Sequence, residues 1–157
     1  MKSLFIPVLL LCSVVHADVT SVRGKVTHIN AMKLASKTYN RTDLSSEGAQ
    51  ISIWRDAKGV PRKIAGHIYG EMGREHDTIY LENGLPVFLL TIKERYDGPL
   101  SVSVKVKERT EMRLYFEKGN VFQRRDGNKV VSMSAAQKQE GNKLVRDMIK
   151  VYLAKGE

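Results

Sequence analysis

Cysteine is almost absent from this chain, since Cys12 is the only one among 157 residues. A single thiol cannot form an intramolecular disulfide, so a disulfide-stapled scaffold is excluded. The buried fraction of the surface grows with chain length, and a chain of this length can fold on packing and hydrogen bonds alone. We therefore expect a domain that depends on its hydrophobic core.

Long apolar runs are also scarce, and the longest one lies at the N-terminus. Residues 4–15 are mostly apolar, follow Lys2, and lead into Val-His-Ala at residues 15–17. A short basic start, an apolar run and a small-residue site are typical of a secretory signal. We predict that residues 1–17 are a cleaved signal peptide and that residues 18–157 form one exported domain.

Two alternatives remain open at the N-terminus: a permanent membrane anchor, and a lipoprotein modified at Cys12. Cleavage after Ala17 would remove that cysteine, and an exported domain without cysteines is more typical of the bacterial periplasm than of the extracellular space. We therefore predict a periplasmic location, with secretion as the alternative. No second apolar segment reaches membrane-spanning length, because residues 85–92 are the longest one and suit a buried strand.

Acidic residues are too few to balance the basic ones. The chain has 26 Lys and Arg against 17 Asp and Glu, a net charge of +9, which falls to +8 without residues 1–17. This excess favours a protein partner or an anionic component of the cell envelope. Export disfavours nucleic acid as a partner, and the mixed charges of residues 105–111 are typical of a solvated face.

The hydrophobic pattern predicts a helix near each end of the domain. Val22, Val26 and Ile29 recur at helical spacing within residues 18–36. The second helix begins after Ser134, a suitable N-cap. Its predicted apolar face comprises Leu144, Val145, Met148, Ile149 and Tyr152.

Between the helices, the pattern is typical of strands and turns. Residues 36–48 are polar and predict a loop, whereas residues 49–131 alternate between apolar and polar and are interrupted by glycine-containing turns. Residues 85–92 are apolar on both sides, so we expect them to form a central strand. The prediction is an α+β domain: an antiparallel meander of about six strands, with an N-terminal and a C-terminal helix packed on the sheet.

Three predicted hairpins share a local pattern around Trp54, Tyr80 and Tyr115. Each has an apolar residue, the aromatic one, an acid two positions later, and then a glycine. The forms Tyr-Leu-Glu-Asn-Gly-Leu and Tyr-Phe-Glu-Lys-Gly resemble hairpins of small periplasmic proteins and, more loosely, MORN-type repeats. The aromatic residues are 26 and 35 positions apart, which departs from a regular repeat. The resemblance implies a meander and a role in binding lipid or protein, and it brings no catalytic residue.

The sequence offers little for catalysis. His28, His67 and His76 show no ligand spacing to one another, so we predict no metal site. No Gly-x-Ser-x-Gly elbow and no glycine-rich phosphate loop occur, so no catalytic or cofactor-binding residue is assigned. A carboxylate pair made of distant residues stays open as an alternative.

The predicted function is therefore that of a small non-enzymatic binding or inhibitor-like module. If Trp54, Tyr80 and Tyr115 occupy equivalent positions, they form one aromatic row, which we predict as the binding surface. The alternatives are a hydrolase with a site of dispersed acids and histidines, and a surface factor that binds anionic envelope components. A deep cleft that holds His67 or His76 beside a carboxylate would favour the hydrolase. The sequence assigns neither a ligand nor an oligomeric state.

Overall fold

Eight antiparallel strands form one sheet, and each strand pairs with its neighbours in the sequence. The computed structural model describes residues 18–102 and 105–154, so the predicted signal peptide lies outside the described residues. The elements are α1 (Val19–Ala31), β1 (Ala35–Arg41), β2 (Ala49–Arg55), β3 (Pro61–Gly70), β4 (Gly73–Glu82), β5 (Leu85–Tyr96), β6 (Val106–Glu117), β7 (Asn120–Asp126), β8 (Lys129–Val131) and α2 (Ala135–Leu153).

The prediction of an α+β meander with a helix at each end is confirmed, but the predicted count of about six strands is wrong. The two strands that were missed, β1 and β8, are the edges of the sheet. Most of β1 is exposed, and β8 has only three residues. Edge strands of this kind have little apolar alternation, so the start of residues 36–48 resembles a loop. Val102 lies in a turn and not in a strand, and residues 103–104 are outside the described part.

The hairpin turns use glycine and its neighbours as the sequence predicts. Asn83 and Gly84 both have positive φ, as do Lys118 and Gly119. Two consecutive residues with positive φ match the twist of a two-residue hairpin. In the turn between β2 and β3, the Asp56 carboxylate accepts hydrogen bonds from the backbone N–H groups of Lys58 and Val60.

The sheet has a hydrophobic core on each face. The larger core lies under α2 and includes the aliphatic residues Ile51, Ile53, Ile64, Ile79, Leu81, Leu89, Leu114 and Val145. The smaller core lies under α1 and comprises Ile29, Tyr80 and Val87 with neighbouring partly buried side chains. Strand β5 contributes to both cores, since Leu89 belongs to the larger core and Val87 to the smaller one. This explains why its first half is apolar on both sides.

Helix α2 makes stabilising contacts near both of its ends. Ser134 forms a capping box with Gln137, as its position predicts. In the middle, the buried Gly141 lies against Val121 and Leu114 of the sheet, and an added Cβ would make ordinary contacts there. Near the C-terminus, Tyr152 packs over Gly66 of β3. Neither helix of the described part is long and apolar enough to cross a membrane.

Candidate functional site

The face of the sheet under α1 carries a continuous cross-strand row of large side chains. Register places Trp54 opposite Lys63, then Tyr80, Phe88 and Tyr115 on successive strands. The ring centroids of Tyr80 and Phe88 are 6.1 Å apart, and those of Phe88 and Tyr115 are 5.2 Å apart. Lys63 Nζ lies 5.0 Å from the Trp54 ring and 5.4 Å from the Tyr80 ring. Trp54, Tyr80 and Tyr115 therefore do share one face.

The expectation that this row is exposed is wrong for two of its three predicted members. Tyr80 is 8% exposed and Tyr115 is 3% exposed, whereas Trp54 is partly exposed. The helix α1 covers the row, and Tyr80 donates a hydrogen bond to Asn30 Oδ1 on that helix at 3.2 Å. Tyr80 and Tyr115 thus belong mainly to the core, and the role of all three residues in binding stays a prediction.

A cleft of about 550 Å³ opens beside this row, between α1, strands β5 and β6 and the turn after β7. That volume is within the range of small-molecule sites. The cleft is lined by Val22, Arg23, Val26, Thr27, Phe88, Arg113, Tyr115 and Asn128. Its lining combines aliphatic and aromatic side chains with two arginines, so it offers both an apolar and a cationic part.

The cationic part continues from the cleft onto β7. Arg113 faces Arg125 in the β6–β7 register, and Tyr115 faces Gln123. Arg113 Nη1 donates to the Gly127 carbonyl at 3.1 Å, and its Nη2 pairs with Glu111. Within the described residues, the buried atoms Arg125 Nε and Gln123 Nε2 have no hydrogen-bond partner. Buried donors without partners are rare and costly, so an acceptor from solvent or a ligand is expected here.

Two histidines meet farther along the same face. His67 on β3 is the register partner of His76 on β4, and their Nδ1 atoms are 2.9 Å apart. The rings form a T-shaped pair with centroids 4.5 Å apart. The two histidines are 9 positions apart in the sequence, which is not a usual ligand spacing, so their contact was not predicted. Gly70 faces Gly73 at the turn, so counting three residues outward on each side would have found it.

Charged residues in the neighbouring cross-strand row, Arg74, Glu94 and Arg109, influence the pKa of His76. Glu94 Oε2 accepts from Arg74 Nε at 2.6 Å, and Glu94 Oε1 lies 3.4 Å from Arg109 Nη1. The hydrogen bond from Arg74 is the main reason that the pKa of Glu94 is lowered. Burial, and then the positive charges of His67 and Arg74, lower the pKa of His76 from its ordinary 6.5. His76 is therefore mainly neutral at neutral pH.

These contacts give little support to a hydrolase. The two histidines interact with each other, and neither lines the cleft under α1. The nearby carboxylate of Glu94 is held by two arginines rather than by a histidine. Among residues 18–102 and 105–154, no group of three or more histidine, cysteine or carboxylate side chains is placed to hold a metal ion. The third histidine, His28, is exposed on α1.

The opposite face has a buried acid, Asp77 of β4. Asp77 accepts hydrogen bonds from Thr91 Oγ1 at 2.6 Å and from the Tyr152 hydroxyl at 2.5 Å. Burial raises the pKa of Asp77 from 3.8 to about 6. Because Asp77 is only 1% exposed beneath α2, it has no access to a substrate, and we assign it to the core.

A second cleft lies beside α2 and has a volume of 560 Å³. It is lined by Leu44, Ile68, Glu75, Glu140, Lys143, Leu144, Asp147, Met148, Val151 and Tyr152. Several of its charged side chains are paired: Lys143 Nζ lies 2.7 Å from Asp147, and Glu75 lies 2.8 Å from Lys93 Nζ. Among the described residues, the unpartnered buried donors of Gln123 and Arg125 lie outside the lining of both clefts. They are, however, the register partners of Tyr115 and Arg113, which line the cleft under α1, so we take that cleft as the candidate site.

Comparison of the chain with models of protein families, with curated proteins and with solved structures found no match. The function is therefore inferred from the geometry of the cleft under α1.

Proposed function

We propose that this protein is a binding module whose ligand is an anionic amphiphile held in the cleft under α1. The observation that carries the proposal is the buried Arg125 Nε, which has no partner among the described residues and lies on the register partner of Arg113. Guanidinium groups are the preferred partners of carboxylates and phosphates. Arg113 lines the cleft, whereas Arg125 lies beside it on β7. An anionic head group that binds Arg113 and extends onto β7 would supply the acceptor that Arg125 lacks.

The apolar part of the ligand would lie deeper, against the floor of the cleft. Phe88 and Tyr115 form that floor, and Val22 and Val26 of α1 form the opposite side. These side chains have no polar group to orient a sugar or a peptide, apart from the tyrosine hydroxyl. A short acyl chain or a hydrophobic ring fits both the chemistry and the volume of the cleft.

The net charge is consistent with such a ligand. At +9 for the chain, or +8 for residues 18–157, long-range attraction favours anions over neutral compounds. The proposed signal peptide would bring the domain to the periplasm or to the outside, where envelope lipids and their fragments supply anionic amphiphiles. We therefore place the protein among exported binding modules and not among hydrolases.

Calorimetric titration with monomeric dodecanoate and dodecyl phosphate tests the proposal. We expect both to bind, and dodecyltrimethylammonium, acetate and inorganic phosphate to bind much more weakly. Arg125→Gln and Arg113→Gln should each weaken binding by about tenfold or more, because a hydrogen bond to a charged group contributes about 1.5–3 kcal/mol. Equal affinity for the cationic amphiphile would refute the choice of ligand.

Arg109→Gln is the matched control for these substitutions. Arg109 lies on β6, on the same face as Arg113, but its side chain is 56% exposed and pairs with Glu94. The Arg109→Gln substitution removes one positive charge, and Arg109 does not line the cleft. If Arg109→Gln weakens binding as much as Arg125→Gln, general attraction rather than the cleft explains the affinity, and the proposed site is wrong.

A further inference from the structure

His67 and His76 bring two imidazole nitrogens close enough to bind one metal ion. The residues face each other across the β3–β4 hairpin, and their Nδ1 atoms are 2.9 Å apart in a hydrogen bond that a metal ion would replace. Strands fix the positions of both backbones, so only the side-chain torsions have to adjust when an ion binds. Both rings are partly exposed on the open part of the face, which leaves access for an ion and its water.

The nitrogen separation in the hydrogen-bonded pair requires less adjustment for one coordination geometry than for another. With metal–nitrogen distances of about 2.05 Å, two nitrogens 2.9 Å apart subtend about 90° at the metal. Tetrahedral zinc requires about 109° and therefore a separation of about 3.3 Å. An angle near 90° is that of neighbouring positions in a square-planar or tetragonal site, which Cu²⁺ and Ni²⁺ prefer.

The charges around the pair partly offset one another. Arg74 and Arg109 oppose a second cation, but Glu94 lies between them and offsets part of their charge. The carboxylate of Glu94 stays ionised because Arg74 lowers its pKa.

We propose that His67 and His76 form a binding site for a divalent transition-metal ion with tetragonal preference, Cu²⁺ before Ni²⁺. The two Nδ1 atoms occupy neighbouring positions, and water fills the rest of the coordination sphere. The order follows the general affinity of nitrogen sites for divalent ions, in which Cu²⁺ is strongest. The proposal does not depend on a ligand in the cleft under α1.

Titration of the purified, untagged protein with Cu²⁺ at neutral pH, with glycine as a competing chelator, tests this proposal. We expect one tight site and an electron paramagnetic resonance spectrum with coupling to two imidazole nitrogens. Loss of an outer-shell partner alone reduces metal affinity by about 10- to 100-fold, so His67→Asn and His76→Asn should each reduce it by at least about tenfold.

His28→Asn is the matched control, because His28 is exposed on α1 and lies outside the pair. It should leave the tight site unchanged. Circular dichroism of the two pair variants checks that they are folded, and the nitrogen coupling of the unsubstituted protein tests the ligands even if a variant unfolds. Coupling to fewer than two imidazole nitrogens, or tight binding that survives both pair substitutions, would overturn the proposal.

Discussion

The buried carboxyl group of Asp77 should make the protein less stable as the pH rises through the weakly acidic range. Asp77 lies on β4, and its two oxygens accept hydrogen bonds from Thr91 and Tyr152. Burial raises its pKa from 3.8 to about 6 despite those hydrogen bonds. We predict that Asp77→Asn removes this pH dependence and stabilises the protein at neutral pH.

The sign follows from which state binds the proton more tightly. The folded state keeps the Asp77 proton up to about pH 6, whereas the unfolded chain releases it near pH 4. Stability is therefore greatest below pH 4 with respect to this group, and it falls as the pH rises from 4 to 6. A shift of about 2 pKa units corresponds to about 3 kcal/mol, at about 1.36 kcal/mol per unit. An asparagine resembles the neutral acid, so it avoids this loss.

Urea unfolding followed by the fluorescence of Trp54, the only tryptophan, measures the free energy of unfolding at each pH. The difference between Asp77→Asn and the unsubstituted protein cancels other titrating groups. It should grow by about 2.4 kcal/mol in favour of the variant between pH 4 and 7. A difference that does not change with pH, or that favours the unsubstituted protein at pH 7, would refute the reasoning.

Asp56→Asn is a control with the opposite sign. Burial opposes ionisation of Asp56, but hydrogen bonds from Arg62 and from the turn amides outweigh it and lower its pKa. A lowered pKa contributes stability above the unfolded value, and this stability is lost as the pH falls. Asp56→Asn should therefore reduce stability at neutral pH and have less effect in acid.

Three further substitutions test the packing of the helices by the same urea assay. Gly66→Ala should destabilise the protein by about 1–3 kcal/mol, because the new Cβ would lie 2.9 Å from Tyr152 Cζ. Gly24→Ala, at a helical position with open space, should instead stabilise it by about 0.5–1 kcal/mol. Ser134→Ala should cost about 1 kcal/mol through loss of the capping box. An unchanged Gly66→Ala, a destabilised Gly24→Ala or a neutral Ser134→Ala would each contradict the packing described.

The sequence predicts the meander and both helices because their signals are local. Periodicity marks the central strands, glycine marks the turns, and Ser134 marks the start of α2. The edge strand β1 is missed because its side chains are mostly exposed, so no alternation records its pairing. Asp77 resembles the start of a strand in the sequence. Its burial follows from Tyr152, which is 75 positions away and reaches it only in the folded chain.

The candidate site was harder to predict for a similar reason. Trp54, Tyr80 and Tyr115 do share a row, as similar hairpins imply. Their different exposure depends on where α1 docks, which no local pattern records. The pairing of His67 with His76 is predictable in principle, since it follows from the length of the turn between Gly70 and Gly73.

The two faces of the sheet differ in how completely their polar groups are satisfied. Under α2, even the buried acid Asp77 has a hydrogen-bond donor for each oxygen, and the surrounding core is aliphatic. On the face that carries α1, the described part of the chain leaves buried donors of Gln123 and Arg125 without partners. In natural proteins, buried polar groups usually have hydrogen-bond partners, and exceptions occur mainly at functional sites. The face under α2 therefore supplies stability. A ligand that provides the missing hydrogen bonds on the α1 face should raise the unfolding temperature more in the unsubstituted protein than in Arg125→Gln.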